Sequence, residues 1–330
     1  MKSFERIIGH KNIVFHFEEA IQSGKISHAY LLSGEKGSGK KTVATAFAKA
    51  LLCEHHDGCG ECQSCLQIES ENHPDLIYVK HEKYDIRVDD IREQVNGTIF
   101  TKPYSSPYKI YIIDDAERMN QGASNALLKT LEEPPEYAII LLLANNKDKI
   151  MDTIQSRCVS MALGTIAKKE MMDYLLKNTD GSKDRVEFCV DFSLGNLGRA
   201  KHYLVNEKFF DMMNESLRIV QYLNDMEIYE VISYLKSLNQ YREEIYDFLD
   251  ILTAWYRDVL MLKTTGSVNH LIFKDKYTEL NKQEIYVSFE GITHILDEIS
   301  KTRVRLDANV NFDVALELLL LTIKENGKVW

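Results

Sequence analysis

Two stretches of this chain carry residue types at spacings that can do chemistry. The first is Gly34-Glu35-Lys36-Gly37-Ser38-Gly39-Lys40-Lys41. Its glycine spacing is that of a loop whose backbone N–H groups cradle phosphate oxygens. In such a loop a lysine neutralises the phosphate charge, and the next residue, Ser or Thr, places a hydroxyl on magnesium. Lys40 fits the lysine role. Lys41 stands where the hydroxyl is needed and would put positive charge where magnesium should sit, while Thr42 is one residue out of register. Two readings stay open: a site that binds ATP or ADP and hydrolyses it poorly, and a relict loop that only caps its helix. The second stretch is Cys53, Cys59, Cys62 and Cys65, in the pattern C-x5-C-x2-C-x2-C. Four soft thiolates on two C-x2-C steps suit tetrahedral Zn2+ with no vacant position, so the metal would be structural. A reversible disulfide or free thiols are the alternatives, and His55 and His56 are substitute ligands. Cys158 and Cys189 lie outside the cluster and are expected to pack.

The elements that must position these groups follow from periodicity. Ile13, Val14, Phe17, Ala20 and Ile21 have amphipathic-helix spacing over Lys11 to Ser23, ended by Gly24. His28 to Ser33 is a short buried strand that runs into the glycine loop, and an alanine-rich helix follows from Thr42 to Cys53. Strand, glycine loop, helix is the context that raises the loop above pattern coincidence. Further on, Asp75–Val79 is strand-like and Val88–Phe100 is helical. Lys109–Asp114 is a buried strand ending in acids, Ser124–Glu132 is a helix stopped by Pro134 and Pro135, and Ala138–Ala144 is a third apolar strand. Strands alternating with helices imply a parallel sheet covered on both faces. Beyond Leu163 the strand signals fade and helical periodicity takes over, with Ile245, Phe248, Leu252, Trp255 and Val259 as one stripe, read as core or subunit interface and not as a ligand box.

At 330 residues the chain exceeds what one core usually serves, so two or three domains are expected. Its 40 basic and 50 acidic residues divide as 19 and 23 up to residue 163 and 21 and 27 after it. Neither half is basic, which argues against broad gripping of nucleic-acid phosphates. The cysteine stretch has no Lys or Arg between Cys53 and Cys65, which is the wrong charge for a DNA-contacting finger. No signal segment and no run of 18 apolar residues is present, so a soluble, cytoplasmic protein without a membrane partner is expected.

Taken in order, Phe4-Glu-Arg-Ile-Ile-Gly9, HAYLLSG, the glycine loop, four cysteines, IYIIDDAERM, NALLKTLEEPP and Ser156-Arg157-Cys158 resemble the bacterial DNA polymerase III clamp loaders, a branch of the AAA+ proteins. The helical remainder, ending in Asn309-Val-Asn-Phe-Asp-Val-Ala-Leu-Glu-Leu-Leu-Leu, is also similar to that family. Within it the disturbed loop and short length are closer to the delta-prime branch than to the ATP-hydrolysing gamma/tau branch. The resemblance implies an α/β AAA+ (RecA-like) parallel-sheet domain over 1–163 with an inserted zinc module at 53–65. A small helical lid would follow over 164–207 and an all-α collar over 208–330.

The resemblance also assigns roles. Asp114 matches the magnesium-associated aspartate, and Asp115 stands, one methylene short, for the water-polarising glutamate. Asn145 or Asn146 occupies the sensor segment, and Arg199 in Gly195-Asn-Leu-Gly-Arg-Ala200 matches the lid arginine, or caps a helix if the site is empty. Arg157 matches an arginine that reaches in trans to a neighbour's terminal phosphate. The implied function is loading of a sliding clamp onto primed DNA. The expected assembly is a heteropentamer with gamma/tau-like ATPase subunits and a delta-like subunit, and the alternative is that this chain is itself the motor ATPase.

Overall fold

The computed structural model describes residues 1–81, 84–223 and 225–327. It divides into two compact units, Met1–Lys201 and His202–Trp330.

The first unit is built on five parallel strands, β1 (Ala29–Ser33), β2 (Leu76–Tyr78), β3 (Lys109–Ile113), β4 (Ala138–Ala144) and β5 (Val159–Ala162), in the order β2-β3-β4-β1-β5. Successive side chains alternate between two cores, as a sheet buried on both faces requires. Tyr30, Leu32, Ile110, Ile112, Ile139, Leu141 and Leu143 join one core with Phe17 of α1 (Lys11–Ser23) and Phe47 of α2 (Lys40–Leu52). The Phe17 and Phe47 rings stack at 4.0 Å, with Tyr30 set edge-on to both. After α2 comes α3 (Gln63–Glu69). The other face, with Leu31, Tyr111, Ile113, Ile140 and Leu142, is covered by α4 (Val88–Ile91), α5 (Gln121–Glu132) and α6 (Asp152–Gln155). The expected helix over Val88–Phe100 is one α turn that widens into a π turn at Arg92–Asn96 and then breaks into turns. Asn96 explains the widening: its side chain donates to the Ala126 carbonyl and accepts from Thr130 of α5. Beyond the sheet lie α7 (Lys168–Asn178), α8 (Lys183–Phe192) and α9 (Leu197–Val205).

The second unit is helical: α10 (Glu207–Tyr222), α11 (Ile228–Leu238), α12 (Ile245–Thr265), α13 (Tyr277–Tyr286), α14 (Phe289–Asp307) and α15 (Phe312–Asn326). Phe248, Leu252, Trp255 and Val259 put α12 at its centre, against α10, α13 and α14. The buried Trp255 indole donates to Gln283, whose amide donates in turn to the Val220 carbonyl, so no polar atom of that relay is stranded. Among the described residues no helix is long and apolar enough to cross a membrane.

Candidate functional site

Parallel strands bring their C-terminal ends to one edge of the sheet, and the chain returns there repeatedly with polar residues. β1 runs into the glycine loop, β3 into Asp114 and Asp115, and β4 into Asn145. Gly37 and Gly39 have φ of 89° and 98°, a region that L side chains avoid, and they turn the loop so that it enters α2. The Lys40 ammonium lies back along the loop, donating to the carbonyls of Gly34 (2.6 Å) and Glu35 (3.0 Å) and to Asn145 Oδ1 (2.9 Å). Burial lowers its pKa, opposed by the charges of Asp114, Glu117, Asp115 and Glu35.

Lys41 points elsewhere. Its ammonium is 3.0 Å from Glu71 and 5.0 Å over the Tyr78 ring, and the hydrogen bond to Glu71, aided by nearby Asp114, raises its pKa. The charge expected at the metal position is thus drawn aside in this structure. Thr42 is exposed. Asp114 is exposed and accepts from the Asp115 amide. Asp115 has φ 48°, and its carboxylate accepts from Asn145 Nδ2 at 2.9 Å and pairs with Arg118 at 3.5 Å.

Of the two asparagines, Asn145 turns inward and Asn146 caps the short turn at Lys147–Lys149, accepting from the Asp148 amide. Asn145 also donates, through its backbone and side-chain N–H groups, to Glu117 Oε1 at 3.1 and 2.7 Å. Glu117 joins the network without having been singled out from sequence, and its other oxygen, Oε2, is buried with no partner. The left-handed turn at Asp115 swings it there, and nothing in an acid four residues beyond a strand announces such a turn.

The segment before α9 closes over the loop. Asn196 Nδ2 donates to the Lys36 carbonyl (2.9 Å) and the Gly198 amide donates to the Gly37 carbonyl (3.0 Å). The backbones touch, for a Cβ on Gly198 would lie 2.5 Å from the Gly37 oxygen. Asn196 Oδ1 accepts from the Arg199 amide, which brings Arg199 into α9 beside Gly37. A cavity of about 360 Å³ lies between the loop, Asn145, Leu163 and Asn196. Ser38 lines it, and its hydroxyl is buried without a partner. Positive-φ glycines, the amides at the start of α2 and an orphaned hydroxyl fit a phosphate-bearing ligand.

Arg157 is at the other end of the sheet. It precedes β5, whose register with β1 pairs Tyr30 with Val159 and Ser33 with Ala162, so the strand separates it from the glycine loop by about 13 Å of rise. Its guanidinium is about one-third exposed, donating to the Thr153 carbonyl and to Glu132 Oε1, each at 2.9 Å.

The four cysteines form a separate centre. Their sulfurs lie within 4.8 Å of one another, with Cys53 at 3.7 Å from Cys59 and 3.8 Å from Cys62. A tetrahedral ion at ~2.3 Å from each sulfur would space them about 3.8 Å apart. All six cysteines are unpaired. Amides of His55, Cys59, Glu61, Cys62 and Cys65 point at the cluster sulfurs, as suits thiolates. His55 and His56 are exposed and outside the cluster, while Cys158 is half-buried and Cys189 buried among apolar groups. The loop is tied to the chain's beginning: the Ser3 amide donates to the Asp57 carbonyl, and a Cβ on Gly58 would meet that of Ser3 at 2.3 Å.

Residues 9–167 match the family described as DNA polymerase III, delta subunit. The chain is 27% identical to DNA polymerase III subunit delta' of Bacillus subtilis over 314 residues, 93% of each. The chain is similar to clamp-loader subunits of DNA polymerase III. It is also 28% identical to the tau subunit of Bacillus subtilis over 356 residues, covering 98% of this chain and 62% of that one. Against the tau/gamma subunit of Haemophilus influenzae it is 36% identical over 177 residues, 53% of this chain and 25% of that one. These identities do not separate the two clamp-loader subunit types.

Proposed function

We propose that this chain is the delta-prime-type subunit of a bacterial clamp loader, a member of a heteropentamer with gamma/tau-like ATPase subunits and a delta-like subunit that loads a sliding clamp onto primed DNA. In this reading residues 1–163 are the AAA+ domain, 164–207 the lid and 208–330 the collar, and Zn2+ on Cys53, Cys59, Cys62 and Cys65 is structural. The glycine loop holds ATP or ADP against Lys40, Asn145 and Arg199 without turning it over, because Lys41 offers no metal ligand and the Asp115 carboxylate is committed to Asn145 and Arg118. Arg157 acts in trans on a neighbouring ATPase site.

The observation that carries the reading is topological. Arg157 sits before β5 and the glycine loop after β1, at opposite ends of two neighbouring parallel strands, so a phosphate met by Arg157 belongs to another molecule. The test is a reconstituted loader containing the Arg157→Ala chain, with DNA-stimulated ATP hydrolysis and clamp deposition measured side by side. Partial loss of hydrolysis with a larger loss of loading is expected, and unchanged rates in both would remove the role.

The tau-like identity favours a second reading, the motor ATPase. The two separate on one measurement: sustained ATP turnover by the isolated wild-type chain belongs to the motor, and negligible turnover to delta-prime.

A further inference from the structure

We propose that Lys41 is a built-in substitute for the divalent cation at the glycine loop, so that this site takes a nucleoside di- or triphosphate free of metal. The inference rests on the nucleotide-site reading above and adds to it a ligand form. Position 41 is the first-turn position from which a phosphate loop aims a metal-binding hydroxyl, and a lysine there aims an ammonium from the same Cα. Its stem is long enough to choose. At present the ammonium rests on Glu71 and over Tyr78, at the end of β2. Tyr78 pairs with Ile112 of β3, so this resting place lies beside the strand end that carries Asp114. The pair with Glu71 is about half exposed on both sides, a weak tether that polyphosphate, carrying several charges, can displace.

Other features of the cradle agree. The orphaned Ser38 hydroxyl in the cavity wall is a free donor for an anion. Lys40 already spends its donors on two carbonyls and Asn145, so a second ammonium within reach lets the site neutralise a polyphosphate without a metal. A divalent ion arriving with the nucleotide would find no hydroxyl at position 41 and would face that ammonium. One tethered positive charge stabilises a bound polyphosphate but leaves less charge for the transition state than a metal would, which accords with holding rather than hydrolysing.

The experiment is calorimetry of ADP and ATP binding to the full chain, in excess EDTA and in saturating magnesium, with thermal unfolding to confirm that each variant is folded. Wild type is expected to bind at least as tightly in EDTA as in magnesium. Lys41→Thr should reverse the order and bind about tenfold more weakly in EDTA than wild type. Lys41→Met, which keeps the apolar stem, should be weak in both. Glu71→Gln frees the ammonium and should tighten binding in EDTA by about two- to fivefold, an effect that a merely structural lysine would not produce. Wild-type binding that requires magnesium would overturn the metal-free form while leaving the nucleotide site in place. Absence of binding by folded wild type in both conditions would overturn the nucleotide site and this inference with it.

Discussion

Arg157 is held by one carbonyl and one exposed carboxylate, a tether worth roughly 0–1 kcal/mol, so it can leave for a stronger anion at little expense. Arg157→Ala should therefore shift the unfolding midpoint by no more than about 3 °C, while under the role proposed for it the neighbouring ATPase site slows by about a thousandfold. Arg157→Lys should restore little of that rate, because a compact ammonium lacks the planar fork. At the glycine loop, Lys41→Thr alone should leave the isolated chain without measurable turnover, since Asp115 remains tied to Asn145 and Arg118. Half-buried His10 and buried His73 give a pH dependence. Burial lowers the pKa of His10 and of His73 from 6.5. A depressed folded pKa means that the unfolded chain binds the proton first, so their contribution is complete above about pH 6.5 and is lost as pH falls through the folded values. Thermal unfolding followed from pH 7.5 to 5 should show this decline, and it should be smaller in His10→Gln.

Among the elements, the contact between the loop and the segment before α9 is the most exposed to a single change. A methyl at position 198 has nowhere to go but into the Gly37 carbonyl. Gly198→Ala is expected to cost about 1–3 kcal/mol of local stability, to deprotect the amides of residues 36–40 and 196–199 to hydrogen exchange, and to leave the cysteine centre unaffected. The cysteine cluster is the complementary case: under the zinc role proposed for it, chelation should remove about one zinc per chain and loosen residues 50–70 while the sheet stays folded, as metal analysis and near-ultraviolet circular dichroism would record. Much of this was legible in the chain. The helix from Lys11 to Ser23 follows from apolar periodicity and its terminating glycine, and the strand from Ala138 to Ala144 from a continuous apolar run. β5 was not legible, because Val159-Ser160-Met161-Ala162 is an edge strand only four residues long with none of them fully buried. The inward turn of Asn145, the arrival of Glu117 and the touching glycines 37 and 198 depend on tertiary geometry between segments far apart in sequence.

For the whole molecule, charge decides what the chain can do alone. A net charge of −10, acidic in both halves, gives no counterion-release drive towards duplex DNA. Fluorescence anisotropy with a primed duplex should show no binding by the isolated chain at physiological salt, and under the assembly proposed above binding should appear only with the partner subunits present. The bond from Ser3 to Asp57 bears on how the molecule comes into being. Phe4, buried and stacked near Phe17, is placed by a segment whose hydrogen-bonding partner lies more than fifty residues later. During synthesis at ~5–20 residues per second, that partner emerges roughly 3–10 s after the segment itself. For that interval the segment rests only on partners close in sequence, Phe17 beside Phe4 and the Glu18 carboxylate that accepts from the Met1 ammonium. The cysteine loop, by closing on its ion, would end the wait and act as the clasp that seats the beginning of the chain after the fact.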